Sequence, residues 1–530
     1  MFLLEIMNIS TVFYFSIRLA LLTAIFLIFA DRTIYAQGSA NQSGNNGLNI
    51  STLRYGADAS SGAPYCFADR KDLSRLKGFD VEVIEAIAEQ LHLQIEHVQN
   101  TWDGLIPGLE RNTYDVVIDG VAITPEHQEG ALFSAPYYFS SYSLVVRNAD
   151  ATVNSLNDFK GYNNKIGTLT GSEALDYLNK VGGFNIKQYD QEIDGYQDLM
   201  LGRIDGFIID APVAMYYVPA IKGLRIVEQP IDTIRYGIAV AKGNVKLIEQ
   251  INEAIFSLQR SGKLRKILER WNLWNDAMAD YLDDHRPMIT PPTEYDEYLD
   301  SLEPKLTWRE RAERYLSFMP LFAKAAGMTM TVSISSMGLA MFWGLILAVM
   351  RIYGPSPVRY AAITYIEVIR GTPLLIQLLI IFYGLPSVGI AFSPFIAGWL
   401  GLGLNYAASE AENYRAGILA IPKGQSEAAI ALGMTRWQTL RHVTLPQAVR
   451  IVMPPVTNDF IALIKDSSLV SMITLTELTQ TYTGLRTTYF DEYFGIGIQV
   501  AIIYLMIGLP FVYLSRWMER RLHGFFGTKR

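Results

Sequence analysis

A single cysteine, Cys66, among 530 residues excludes an internal disulfide framework and any cysteine-built metal centre. The six histidines nowhere take the H-E-x-x-H spacing of a helix-borne zinc site. No G-x-x-x-x-G-K-[ST] phosphate loop is present: GTLTGSE (167–173) lacks the lysine, and SGKL (261–264) lacks the upstream glycine. The chain therefore brings no nucleotide-hydrolysing motif of that type. Cations are also in deficit, with a net charge of −7 and no basic patch interleaved with aromatics, which argues against nucleic acid as a partner.

What is abundant is apolar sequence, unevenly placed. Mean hydropathy is +0.16, high for a purely soluble protein, and the long apolar stretches lie beyond about residue 315. Residues 50–270 read instead as a mixed soluble domain. At the N-terminus, Arg18 precedes an apolar run from Leu19 to Ala30, followed by the small residues Ala36, Gly38, Ser39 and Ala40. This is the pattern of a signal peptide or an N-terminal anchor over 1–40, and both export the segment that follows.

After a Gly/Ser/Asn spacer at 37–49, a strand is expected at Leu53 to Tyr55, a helix over 78–91 and a strand over VVIDGVAI (116–123). A further strand at KIGTLTG (165–171) leads into a helix at 172–181, and a basic amphipathic helix at 261–271 closes the domain. Short strands alternating with helices indicate an α/β fold over 50–272. Residues 272–304 carry nine acidic residues and one basic one, with prolines at 287, 291, 292 and 304. The stretch 273–312 is expected as an acidic linker, extended by self-repulsion.

The remainder, 315–525, is expected as an all-α membrane domain of about five spans, near 327–350, 361–386, 393–419, 450–475 and 492–518. Each is long enough for a hydrocarbon core of about 30 Å. With the linker outside, an odd span count puts the C-terminus inside. Arg351 and Arg359, then Lys423, Arg436, Arg441 and Arg450, and the tail Arg516, Arg520, Arg521, Lys529 and Arg530 satisfy the positive-inside rule in that orientation.

The loop over 420–448 contains EAAIALGMTRWQTLRHVTLP (427–446): a short helix, a glycine at which the chain turns, and a segment returning to the membrane. This resembles the ATPase-coupling loop of ABC importer permeases, with Glu427, Ala428, Ala429, Gly433, Val443, Leu445 and Pro446 in the matching places. RGTPLLIQL (370–378), GILAIPKGQ (417–425) and the stretch from Asn458 through KDSSLVSMI (465–473) also resemble the polar amino acid uptake branch of that family.

Residues 50–272 resemble the matching type II, family 3-like solute-binding proteins, two α/β lobes that close over a ligand. The resemblance implies ligand-binding roles for Asp58 after the first strand, Trp102 as an aromatic platform, and the 120–124 loop with Gly120, Ala122 and Thr124. It also implies a carboxylate-binding helix start at Thr170, Gly171 and Ser172, and Asp210 as receptor for an ammonium group. His127 stands where relatives that bind α-amino acids carry an arginine. An imidazole cannot form the two-pronged clamp and is only partly charged near neutral pH.

The implied function is ATP-driven import of a polar amino acid or related small amine at the bacterial inner membrane, with no enzymatic activity in this chain. No cofactor is expected here, ATP and Mg being used by a separate dimeric ABC ATPase subunit. A second permease domain, most simply in a homodimer, would complete the pathway. A ligand-gated channel or receptor, or an extracytoplasmic enzyme on the same two-lobed fold, are the alternatives from other classes.

Overall fold

The computed structural model describes residues 50–523 except 61, 74, 151–152, 162–163, 228–229 and 303–305. The signal-peptide or anchor expectation lies outside the described residues. Among the described residues two units emerge, one of 50–311 with 483–493, the other of 312–482 with 494–523.

The first unit holds two lobes. In one, strands Gln94–Gln99, Thr52–Ala57, Val116–Val117, Ala239–Ala241 and Ala131–Phe133 lie side by side in that order. The first three run parallel, and Ala239–Ala241 is antiparallel to both its neighbours. The other lobe orders Leu224–Ile226, Tyr138–Arg147, Gly206–Asp210, Lys165–Leu169 and Asn185–Tyr189, with Ile231–Tyr236 also paired to Tyr138–Arg147. The chain crosses between lobes twice. It leaves the first ahead of Tyr138 and returns after Tyr236, and those two residues are register partners, so both crossings run side by side beneath the cleft.

The expected elements at Thr52–Ala57, Phe79–Leu91, Lys165–Leu169, Glu173–Val181 and Lys263–Arg270 are present. The expected 116–123 strand is a correction: only Val116–Val117 is strand. Gly120 takes φ +61, which turns the chain off the ladder and frees 120–124 to form a loop. A Cβ at Gly120 would meet the Tyr65 ring at 2.5 Å, so the position demands glycine on two counts.

The acidic segment is also a correction, because it is not extended. Helices Asp276–Leu282 and Thr293–Ser301 fold back on the domain, burying Met278 and Tyr298, and Tyr298 stacks on Tyr216 with ring centroids 3.8 Å apart. The acidic side chains do not repel the segment outward because the domain supplies cations. Lys77 lies 3.4 Å from Glu294, Lys71 pairs with Glu297, and Arg265 lies 2.5 Å from Asp284.

In the second unit, Met319–Tyr353 and Tyr493–Arg520 are long and apolar enough to cross a membrane. Ser356–Gly371 and Leu374–Gly384 together make a third when counted as one span, but they are bent by 106°. The expected continuous span over 361–386 is therefore broken. Pro373 lies at the break, where it lacks an N–H and disfavours helical backbone at Thr372. The other two expected spans, 393–419 and 450–475, overlap helices Pro394–Leu419 and Leu445–Asp466, which are not among the helices long and apolar enough to cross a membrane. Small residues let helices approach: a Cβ on Gly344 would lie 2.9 Å from the Ala407 carbonyl oxygen. Polar side chains link some helices, as where Asn413 Nδ2 donates to Asp459 Oδ2 at 2.9 Å and Tyr406 to Asp466 at 2.7 Å, the kind of interhelical bond that joins helices in lipid.

Candidate functional site

Between the lobes, Asp210 stands at the end of Gly206–Asp210 as the residue preceding helix Ala211–Tyr217. Its Oδ2 accepts from the Tyr236 hydroxyl at 2.6 Å and the Tyr65 hydroxyl at 3.2 Å, and the two hydroxyls lie 3.1 Å apart. Burial pushes its carboxyl up to about 6, while the two hydroxyls pull it down. An aromatic-walled carboxylate with no cationic partner among the described residues can receive one.

The 120–124 loop forms part of the opposing wall and is held from several sides. Gly120 N–H donates to Asp80 Oδ2 at 2.7 Å, and Tyr137 donates to the same oxygen at 2.9 Å. Ile123 N–H donates to the Arg235 carbonyl at 2.8 Å and Gly237 N–H to the Val121 carbonyl at 3.1 Å, while Ala122 bridges to Tyr236. Thr124 caps the short helix Pro125–Gly130, its hydroxyl accepting from His127 N–H at 3.1 Å. The His127 ring nitrogen Nδ1 sits 2.9 Å from the Ala122 carbonyl oxygen and 3.7 Å from Glu173 Oε1.

The remaining expected residues divide. Ser172 caps helix Glu173–Val181, its hydroxyl accepting from Leu175 N–H at 3.3 Å and donating to the Leu169 carbonyl at 2.8 Å. Thr170 is exposed and its hydroxyl donates to Asp190 at 3.2 Å; Gly171 is exposed at φ +67. Asp58 is buried, but its Oδ1 accepts from Ser60 N–H at 3.0 Å and Gln99 Nε2 at 2.8 Å, the turn-forming role of an aspartate in such a loop. Trp102 is half-buried against the cluster of Leu105, Leu109 and Tyr114.

Three residues of the cleft escape the sequence reading: Tyr65, Tyr236 and Glu173. The tyrosines carry no local motif. Glu173 follows a serine at a helix start, where an acid is ordinary first-turn chemistry, and that disguises it. Burial first, and the charge of Asp210 second, push the Glu173 carboxyl up to about 8, while the amides of Glu173 itself and Ala122 favour its charged form.

In the second unit, helix Lys423–Ala431 ends in a left-handed turn at Gly433, φ +86. Met434 N–H donates to the Ala429 carbonyl at 3.1 Å and Gly433 N–H to the Ile430 carbonyl at 2.9 Å, the paired bonds of a Schellman cap. Thr435 opens the next helical turn with a capping box to Gln438. Glu427 and Ala428 are exposed, Ala429 is buried, and Leu445 and Pro446 begin helix Leu445–Asp466. Around the turn, Leu432 is 83% and Trp437 67% exposed. The capped turn thus holds large apolar side chains out from the fold, the kind of surface that can take a partner.

Comparison with known proteins agrees with both halves. Residues 53–273 match the family described as bacterial extracellular solute-binding proteins, family 3, and residues 340–524 match the binding-protein-dependent transport system inner membrane component. Among relatives, the chain is 39% identical over 206 residues to the L-cystine transport system permease protein TcyB of Bacillus subtilis (strain 168), covering 39% of this chain and 88% of that one. The chain belongs to the ABC-type amino acid transport family. It joins a solute-binding domain to a permease domain. The glutamine transport system permease protein GlnP of Escherichia coli (strain K12) is 36% identical over 206 residues, 38% of this chain and 94% of that one. The L-cystine-binding protein TcyJ of the same organism is 31% identical over 208 residues, 39% of this chain and 77% of that one. The permease family match and the apolar helices put this chain at the inner membrane, and its solute-binding domain is of the extracytoplasmic type.

Proposed function

We propose that this protein imports a polar amino acid or a related small amine, driven by ATP that a separate ATPase subunit hydrolyses. The observation that carries the reading is the presence, on one chain, of an interlobe carboxylate receptor at Asp210 and an exposed apolar turn, Leu432 to Trp437, in the permease. The lobes close on the ligand by hinge motion about the paired crossings and deliver it to the permease. The capped turn at Gly433 seats on the ATPase and transmits its motion. One such turn per chain serves half of a dimeric ATPase, so the working unit is a homodimer of this chain.

Reconstitution into vesicles with a cassette ATPase tests the reading. Uptake of whichever amino acid or amine gives the largest thermal shift should require ATP. Gly433→Pro should abolish uptake and ATPase co-purification, because proline cannot adopt a positive φ, and leave ligand binding unchanged. Uptake that proceeds without ATPase would make the protein a channel, and equal loss of binding and transport would remove the coupling role from the turn.

A further inference from the structure

The helix start at 172–173 is the natural receiver for a ligand carboxylate, since its free amides and dipole favour an anion. A carboxylate is already there, and it belongs to the protein. Glu173, the first residue of helix Glu173–Val181, projects from the second lobe to within 3.7 Å of His127 on the first. Its side chain is 14% exposed, and its Oε1 is buried with no hydrogen-bond partner among the described residues. The facing loop offers Ala122, whose amide favours the charged carboxylate and whose carbonyl faces His127 Nδ1 at 2.9 Å. No lysine or arginine among the described residues forms an ion pair with Glu173 or Asp210. Asp176 one turn along the same helix adds like charge, and Tyr142 on the neighbouring strand feels both carboxylates and Asp176.

An α-amino acid would bring a third carboxylate to a place already occupied by one, beside a second and without a guanidinium to receive it. Once the pH exceeds about 8 and Glu173 as well as Asp210 is ionised, these like charges, screened only by a protein interior, oppose its binding strongly, whereas a bound cation draws both carboxyls into that ionised state. A ligand carrying positive charge and no carboxylate meets the opposite situation: two counter-charges, one lined by tyrosine hydroxyls and one with an oxygen still unpartnered.

We propose that the cleft is built for an organic cation without a free carboxylate, a diamine or a guanidino-amine, with Asp210 and Glu173 as its two counter-charges. The inference rests on the proposed importer reading and narrows its ligand class. Glu173 is the specificity-determining residue, taking from within the protein the place that a ligand carboxylate would otherwise fill.

The full-length protein in detergent or nanodiscs is titrated calorimetrically with pairs that differ only by the carboxylate, agmatine against L-arginine and cadaverine against L-lysine. At least one amine should bind about tenfold or more tightly than its amino acid. Its affinity should rise from about pH 5.5 to about pH 8.5, because both carboxylates must ionise to hold the cation. Glu173→Gln should weaken the amine by about tenfold and narrow or reverse the preference over the amino acid, with Asp210→Asn weakening both members of the pair. Tighter binding of both amino acids by the wild type, or an amine preference untouched by Glu173→Gln, overturns the inference while leaving the importer reading in place. Absence of binding by all four compounds to folded protein also overturns it. Failure of ATP-dependent uptake, measured separately, would count against the importer reading alone.

Discussion

Two groups of buried charges in the binding domain are treated in opposite ways. At its edge, Arg265 is 4% exposed and Glu269 fully buried, and every charge has a partner. Arg265 Nε donates to Glu269 Oε1 at 2.8 Å, Arg265 lies 2.5 Å from Asp284, and Glu269 also accepts from the amides of Ile289 at 3.1 Å and Thr290 at 2.8 Å. In the cleft, Asp210 has only neutral hydroxyls and Glu173 an unpartnered oxygen. Burial disfavours a charge in both places; at the edge the fold supplies the compensation, and in the cleft it does not. On the proposed reading, the partner that the fold leaves out of the cleft is supplied by the ligand.

The comparison breaks most visibly if the edge is made to resemble the cleft. Arg265→Met leaves Glu269 buried without its cation and removes the donor that also holds the carbonyls of Arg286 at 2.6 Å and Pro287 at 2.8 Å. The expected cost is about 3 kcal/mol, read as faster hydrogen exchange across residues 263–301 of the intact protein. A loss below about 1 kcal/mol would mean that the network is no better than a surface ion pair.

The converse experiment makes the cleft resemble an ordinary interior. A carboxyl raised in the folded state contributes most stability below its unfolded pKa and loses it as pH rises through the folded value. For Asp210 and Glu173 the folded values are about 6 and about 8, so the empty domain should weaken progressively above roughly pH 5. Asp210→Asn should remove the lower part of that decline. The empty variant should be more stable than wild type at alkaline pH, and should lose ligand affinity by about a hundredfold. Parallel pH–stability curves for wild type and variant would show that Asp210 carries no unpaired charge.

This opposition of paired and unpaired charge is also where sequence reading reaches its limit. Asp210 came from the resemblance to solute-binding proteins, which put an acid at that strand end. The strand and helix periodicity around it was legible from local pattern alone, as was the Gly433 turn with its flanking helix and return segment. The acidic segment after residue 272 was misread because self-repulsion was counted within the segment alone. Of the cations that neutralise it, Lys71 and Lys77 lie far away in sequence, and Arg265 sits on the helix just ahead of the segment. Glu173 was passed over for the inverse reason: its local setting explains it completely, and only the fold brings it to His127 and Asp210.

The finest test concerns His127, where the resemblance to amino acid-binding relatives fails. His127→Arg places a permanent charge beside Glu173. If that position were an impaired carboxylate clamp, the substitution would strengthen an amino acid ligand by itself. In the proposed arrangement the guanidinium is consumed by Glu173, whose Oε1 lies 3.7 Å from His127 Nδ1. The single variant should therefore lose a few-fold in amine affinity, as one counter-charge is neutralised, and gain little for L-arginine. Combining it with Glu173→Gln frees the guanidinium and clears the helix start, so the double variant should bind L-arginine better than the two single effects predict. The two residues are in contact, where such non-additivity of about 0.5–3 kcal/mol is expected. A calorimetric cycle of the four proteins with agmatine and L-arginine measures it. Additive effects would mean that Glu173 and His127 act on the ligand independently, and that the carboxylate in the cleft is not standing in for one.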